Sequence, residues 1–169
     1  MPESIRVDRL SKMYRSRDGT EVEALRQVSF TVGRGEFVSI VGQSGCGKSS
    51  LLKILAGLLS KTAGTIFVEG RELAGPRNDI GLMFQKPLLL DWRRVLDNVL
   101  LPVEIYRLDR KAYEKKARRL LGTAGLADFI GKYPCELSGG MQQRVALCRA
   151  LVAEPSLLLM DEQIGRAHV

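Results

Sequence analysis

Residues Gly42-Gln43-Ser44-Gly45-Cys46-Gly47-Lys48-Ser49 have the types and spacing needed to hold a phosphate chain. Glycines let the backbone curl so that its N–H groups point inward at phosphate oxygens. A helix opening at this point adds the positive end of its dipole. In a loop of this kind Lys48 reaches the β- and γ-phosphates of a nucleotide and the Ser49 hydroxyl ligates Mg²⁺. The flanks fit. Glu36-Phe37-Val38-Ser39-Ile40-Val41 reads as a buried strand, and Ser50-Leu51-Leu52-Lys53-Ile54-Leu55-Ala56 as a helix opening.

Two further runs carry chemistry. In Leu137-Ser138-Gly139-Gly140-Met141-Gln142-Gln143-Arg144, Ser138 and two glycines open a second helix, which leaves N–H groups and a hydroxyl aimed at an anion. Leu157-Leu158-Leu159-Met160 reads as a short strand buried on both faces. It ends on Asp161 and Glu162, where open α/β sheets place ligand chemistry.

The run Leu137 to Arg144 is similar to the signature motif of ABC-type ATPases, and the resemblance extends from about Ser4 to Glu162. It implies an α/β fold, a P-loop NTPase (RecA-like) core with an antiparallel β subdomain and an inserted helical subdomain over about residues 95–152. It implies ATP and Mg²⁺ as cofactors. The nucleotide would be held by Gly42, Gln43, Ser44, Gly45, Cys46, Gly47, Lys48, Ser49 and Ser50. Ser138, Gly139, Gly140 and Gln142 would close over the ATP of a second subunit in a head-to-tail dimer. Asp161 would hold the metal with Ser49, and Glu162 would polarise the attacking water, beside the charge of Lys48.

Gln85, after the strand-like Ile80-Gly81-Leu82-Met83-Phe84, matches the family's Q-loop glutamine, a contact to Mg²⁺ and water that also senses the transport partner. Tyr14 matches the aromatic that stacks on adenine; a half-buried strand tyrosine is the other reading. Gly75 to Gly81 and Leu88 to Val99 resemble the ATPase subunits of nitrate, sulfonate and taurine importers. The resemblance therefore implies uptake of a small anion and a peripheral place at the cytoplasmic face of the cell membrane. The implied partners are a second ATPase subunit, a permease and, indirectly, a solute-binding protein. Leu88, Leu89, Leu90 and Trp92 lie near the groove where a permease docks in relatives, with core packing as the alternative. A soluble ABC-type ATPase acting on DNA or ribosomes, and a catalytically dead nucleotide-binding fragment, remain as other readings.

Composition agrees with a globular domain: 169 residues, 45% hydrophobic and 27% charged. No apolar run has the length to span a bilayer, and no N-terminal stretch reads as a secretory signal. Cys46, Cys135 and Cys148 are widely spaced and odd in number, which favours neither a disulfide framework nor a zinc site. Cys46 is a candidate reactive thiol. The net charge of +7 raises nucleic acid as a ligand. Much of the excess lies in Arg107 to Arg119, however, which reads as an amphipathic helix with a solvated face. No aromatic residues alternate with those charges, so no nucleic-acid partner is expected.

Residues 4–41 read as strand-rich with a hairpin turn near Asp18-Gly19. Strands follow at Thr65 to Glu69 and Ile80 to Gln85, and Val95 to Val152 is mostly helical. Back-translation of Ile164 to Val169 as ATC GGA AGA GCA CAC GTC resembles a common sequencing-library adapter, so 163–169 is expected to be a non-native tail. His168 lies too close to Glu162 to be the family's switch histidine. Weak or absent ATPase activity is the expectation for this polypeptide.

Overall fold

The structure, a computed structural model, describes residues 3–161. Glu162, His168 and the proposed tail lie outside the described residues. The chain divides into two compact units, Met1–Arg77 and Asn78–Val169.

The first unit is built on a hairpin of two 13-residue strands, β1 (Glu3–Arg15) and β2 (Glu21–Gly33). The expected turn is present. Gly19 adopts φ 85, and the Asp18 carboxylate accepts from the Thr20 N–H at 3.1 Å. That backbone bond holds the Asp18 carboxyl below its ordinary pKa. β3 (Ala63–Val68) pairs with the other edge of β1 and β4 (Arg71–Glu72) with β3, giving an antiparallel sheet of order β2-β1-β3-β4. Ile5 and Val7 of β1 alternate inward. A register shift after Val7, with Arg9 at φ 47, resets the parity so that Leu10 is the next buried side chain. The helix α1 (Lys48–Leu55) turns Leu51, Ile54 and Leu55 inward, as its spacing requires.

The expected buried strand before the glycine-rich loop is not formed. Residues 36–41 carry no strand, and Phe37 and Val41 are 75% and 90% exposed. An apolar run becomes a buried strand only when other strands pair with its edges and layers cover its faces. No described strand pairs with this one.

In the second unit β5 (Ile80–Met83) and β6 (Leu157–Met160) form a parallel pair, with Ile80 opposite Leu157 and Met83 opposite Met160. β5 stops at Met83, short of Gln85. β6 is not buried on both faces as expected: only Leu159 is buried, and Met160 is exposed. Among the described residues β6 has a partner on one edge alone.

The helices between these strands are α2 (Val95–Val99), α3 (Leu101–Ile105), α4 (Arg110–Thr123) and α5 (Gly139–Val152). Val95, Val99, Leu100 and Val103 close a core with Ala117 and Leu121 of α4 and Val145, Cys148 and Val152 of α5. The basic run forms α4 as expected: Ala117 and Leu121 are buried, while Lys111, Lys115, Arg118 and Arg119 face water. Cys148 sits in this core, and burial pushes its thiol up to about 11.

Candidate nucleotide site

The glycine-rich loop lies in the first unit. Gly45 and Gly47 adopt φ 80 and 95, conformations that side-chain-bearing residues rarely take. Gly47 also passes close to β2: a Cβ there would lie 2.3 Å from the Ala24 carbonyl oxygen. The chain therefore crosses from loop into α1 against the sheet through a gap that admits no side chain. Gly47 is the residue before α1, which has no acidic residue in its first turn to neutralise the positive helix end.

The Lys48 ammonium folds back over the loop and donates to the carbonyl oxygens of Gly42 and Gln43, each at 2.7 Å. Its Nζ is 3.8 Å from Cys46 Sγ. The loop thus carries a full positive charge at its mouth in addition to backbone dipoles. Tyr14 stands beside it near the end of β1, with its hydroxyl 3.0 Å from that of Ser50 in α1. The Lys12 ammonium lies 5.1 Å from the Tyr14 ring centre. The ring is part-exposed, at 39%. Tyr14, the loop and Ser50 therefore belong to one local constellation, although 28 residues separate Tyr14 from Gly42 in the sequence.

The remaining candidates belong to the second unit. Asp161 follows β6, and its N–H donates to the Met83 carbonyl at 3.0 Å, so the acid is fixed at the C-terminal end of the parallel pair. Gln85 follows β5 at the same end, two residues past Met83. Ser138 caps α5: its hydroxyl accepts from Met141 N at 3.3 Å. No acidic residue occupies the first turn of α5. The approach to this cap is fixed by Glu136, which accepts from Tyr133 N and from Lys132 Nζ at 2.7 and 2.9 Å. The first of these bonds, with help from the second, holds the Glu136 carboxyl below its ordinary pKa.

Gln142, expected to face the nucleotide of a second subunit, donates its side-chain Nε2 to the carbonyls of Pro134 and Leu137, at 2.9 and 3.4 Å. In this arrangement it braces the turn before Ser138. Gln143 and Arg149 of α5, not singled out from the sequence, hold the backbone after β5. Asn98, fully buried, binds the carbonyls of Leu90, Arg93 and Arg94 through Nδ2 and accepts from Leu90 N through Oδ1. A polar residue inside the apolar stretch Val95 to Leu101 was the available signal for Asn98. Of the groove candidates, Leu88 and Trp92 are exposed, Leu89 packs on the helical core and Leu90 is part-buried. Among the described residues, no helix is long and apolar enough to cross a membrane.

A glycine-rich phosphate loop on a helix start, a parallel pair ending in an acid and a Ser-capped glycine helix define a P-loop NTPase of mixed α/β type. The family model described as ABC transporter matches residues 25–165, and the chain belongs to that family. It is 44% identical over 161 residues to the taurine import ATP-binding protein TauB of Rhizobium johnstonii, a match spanning 95% of this chain and 62% of that protein. It is 48% identical over 145 residues to the aliphatic sulfonates import ATP-binding protein SsuB 2 of Pseudomonas aeruginosa, spanning 86% of this chain and 51% of that one. A methionine import ATP-binding protein, MetN of Rhizobium meliloti, is 44% identical, over 92% of this chain and 46% of its own length. The chain thus spans roughly half to three fifths of these relatives. Among solved structures, a dimeric post-hydrolysis state of the ATP-binding cassette MJ0796 bound to ADP and Pi matches with a TM-score of 0.82 at 33% identity, covering 93% of this chain and 73% of that one.

Proposed function

We propose that this chain is the nucleotide-binding part of an importer ATPase that powers uptake of a small anion such as a sulfonate, taurine or nitrate. The observation that carries the reading is the Lys48 ammonium held across the Gly42–Gln43 carbonyls at the head of α1. A lysine resting on neutral carbonyls exchanges them readily for phosphate oxygens, which offer it a formal negative charge. The solute class is supported by the taurine and sulfonate relatives at 44–48% identity.

Bound ATP·Mg²⁺ supplies the scissile phosphoanhydride and a divalent charge that neutralises the phosphates. The residues act around it as follows. Lys48 binds the terminal phosphates and stabilises charge on them. By the family resemblance, the Ser49 hydroxyl and the Asp161 carboxylate would each supply an oxygen ligand to Mg²⁺. Tyr14 offers its ring to adenine. Gln85 would contact Mg²⁺ and water and sense the transport partner. Glu162 orients the attacking water. Ser138, Gly139 and Gly140 close over the nucleotide of a partner subunit. A permease receives the motion through the exposed Leu88 and Trp92, which places the chain peripherally at the cytoplasmic face of the membrane, with a solute-binding protein upstream.

The test is equilibrium binding of a fluorescent ATP analogue with Mg²⁺ to this chain and to its Lys48→Ala variant. Binding to the parent that falls by about 100-fold or more in the variant supports the reading. Equal binding by both sinks it.

A further inference from the structure

The helix α5 grips the backbone that follows β5 at three carbonyls. Gln143 Nε2 donates to the Gln85 carbonyl at 2.6 Å. Less than two turns further on, Arg149 forks: Nη1 donates to the Leu88 carbonyl at 2.8 Å and Nη2 to the Pro87 carbonyl at 2.7 Å. Residues 85–88 cannot shift against α5 without breaking these bonds. The gripped segment is also strained. Leu88 adopts φ 44, the left-handed region that a leucine rarely occupies, and its side chain is exposed, so burial does not offset the cost. The carbonyl that Arg149 Nη1 holds belongs to this strained residue.

Neither gripping residue is explained by static packing. Burial lowers the Arg149 pKa, the mark of a guanidinium kept where its charge is poorly solvated. Its recorded partners are carbonyl dipoles. Gln143 Oε1 is buried and accepts no hydrogen bond among the described residues, whereas an aliphatic side chain would leave no such orphan. What the two share is the loop they hold.

We propose that Arg149 and Gln143 are positioning residues that latch the Gln85–Leu88 segment, in a strained conformation, to the helix that begins at Ser138. A displacement of α5 then carries Gln85 and the exposed Leu88 with it, and release of the latch lets Leu88 relax. The latch stands on contacts within the second unit; its role in coupling rests on the importer-ATPase reading above.

The test uses the full 169-residue chain, its Arg149→Gln and Arg149→Lys variants and Gln143→Met. Trp92, the chain's single tryptophan, is 76% exposed and lies four residues after Leu88, so it reports on this segment. Hydrogen exchange of the 86–90 amides in R149Q is expected to rise about tenfold or more, with amides inside α4 and α5 unchanged, and acrylamide quenching of Trp92 to rise with it. R149K, unable to fork, recovers only part of the protection. Protection in R149Q equal to wild type overturns the latch. Should R149Q not fold, Q143M decides: it removes one bond and the orphaned oxygen, and faster exchange at 86–88 with an unchanged melting temperature supports the latch, while unchanged exchange overturns it. For coupling, ATP·Mg²⁺ is expected to change Trp92 emission in wild type and much less in R149Q at equal nucleotide affinity. A Trp92 signal that is silent in wild type with ATP bound, or equal in both proteins, overturns the coupling role. Absence of ATP binding by wild type would instead sink the nucleotide reading and leave the exchange result standing.

Discussion

The hydroxyl of Tyr14 lies 3.0 Å from the hydroxyl of Ser50, joining the end of the first strand to the first turn of the helix that follows the phosphate loop. This bond orients the ring without defining its use. Two substitutions separate stacking from scaffolding. Tyr14→Phe removes the bond and keeps the ring; it is expected to cost about 0.5–1.5 kcal/mol of stability at most and leave ATP affinity within about twofold. Tyr14→Ala removes the platform and is expected to weaken ATP binding by about 5- to 100-fold, the range of a lost base–aromatic stack. Titration with a fluorescent ATP analogue reads both. Equal affinity in Tyr14→Ala and wild type would leave the ring a structural role only.

Gly45 and Gly47 have the same backbone class but different surroundings, and they should respond differently to alanine. Gly45, at φ 80, has nothing within 4 Å of an added Cβ, so Gly45→Ala meets only the left-handed conformational cost of about 1–2 kcal/mol. At Gly47 the same cost is joined by a contact 2.3 Å from the Ala24 carbonyl, which forces loop or strand to move. Gly47→Ala is expected to destabilise by about 3 kcal/mol or more and to abolish nucleotide binding by displacing the Lys48 backbone. Thermal melts of the two variants check this. A Gly47→Ala protein as stable as Gly45→Ala would contradict the close approach.

The loop at Gly42 to Ser49 was legible because its signal is local: glycine spacing, a lysine and a serine at a helix start. The hairpin around Gly19 and the amphipathic face of α4 were legible for the same reason. The strand over 36–41 was not, because an apolar run specifies that a segment wants partners and says nothing of whether they are within reach. The burial of β6 failed in the same way, since a second neighbour decides it. Gln143 and Arg149 gave no signal at all. Their partners are main-chain carbonyls 58 to 62 residues away, and a carbonyl has no residue type to read. The amide donations of Gln142 to the Pro134 and Leu137 carbonyls were equally illegible, for the same reason.

Asn98 places four hydrogen bonds on the segment from Leu90 to Arg94 from a fully buried position. Asn98→Ala removes the side-chain partner of Leu90 N and of the Arg93 carbonyl, while the Leu90 and Arg94 carbonyls keep backbone donors; with the small cavity it leaves, it is expected to cost about 2–4 kcal/mol in denaturant unfolding of the chain. Because the segment contains Trp92, its emission should also become more accessible to acrylamide before global unfolding. Asn98→Asp retains the acceptor for Leu90 N, loses the donors and buries a charge, so it should be no more stable than the alanine variant. A loss below about 0.5 kcal/mol in Asn98→Ala would show that the segment is held by other means.

Glu136 gives the approach to Ser138 a pH dependence of defined sign. Its carboxylate accepts from the Tyr133 N–H and from Lys132, and its folded pKa lies below the ordinary value of 4.5, chiefly through the Tyr133 bond. A depressed carboxylate pKa means that the ionised form is favoured by folding. The contribution is therefore fully present above the unfolded value and is lost as pH falls through the lower folded one. Glu136 is exposed to water, so the effect on global stability is small. The local effect is readable as a reversible shift of the Tyr133 amide in a proton–nitrogen NMR titration. Its midpoint is expected below 4.5, and the shift should be absent in Glu136→Gln, which keeps a neutral acceptor at every pH. A Tyr133 amide that moves at the ordinary glutamate value, or that moves equally in the glutamine variant, would mean that the turn leading into Ser138 is not held by this carboxylate.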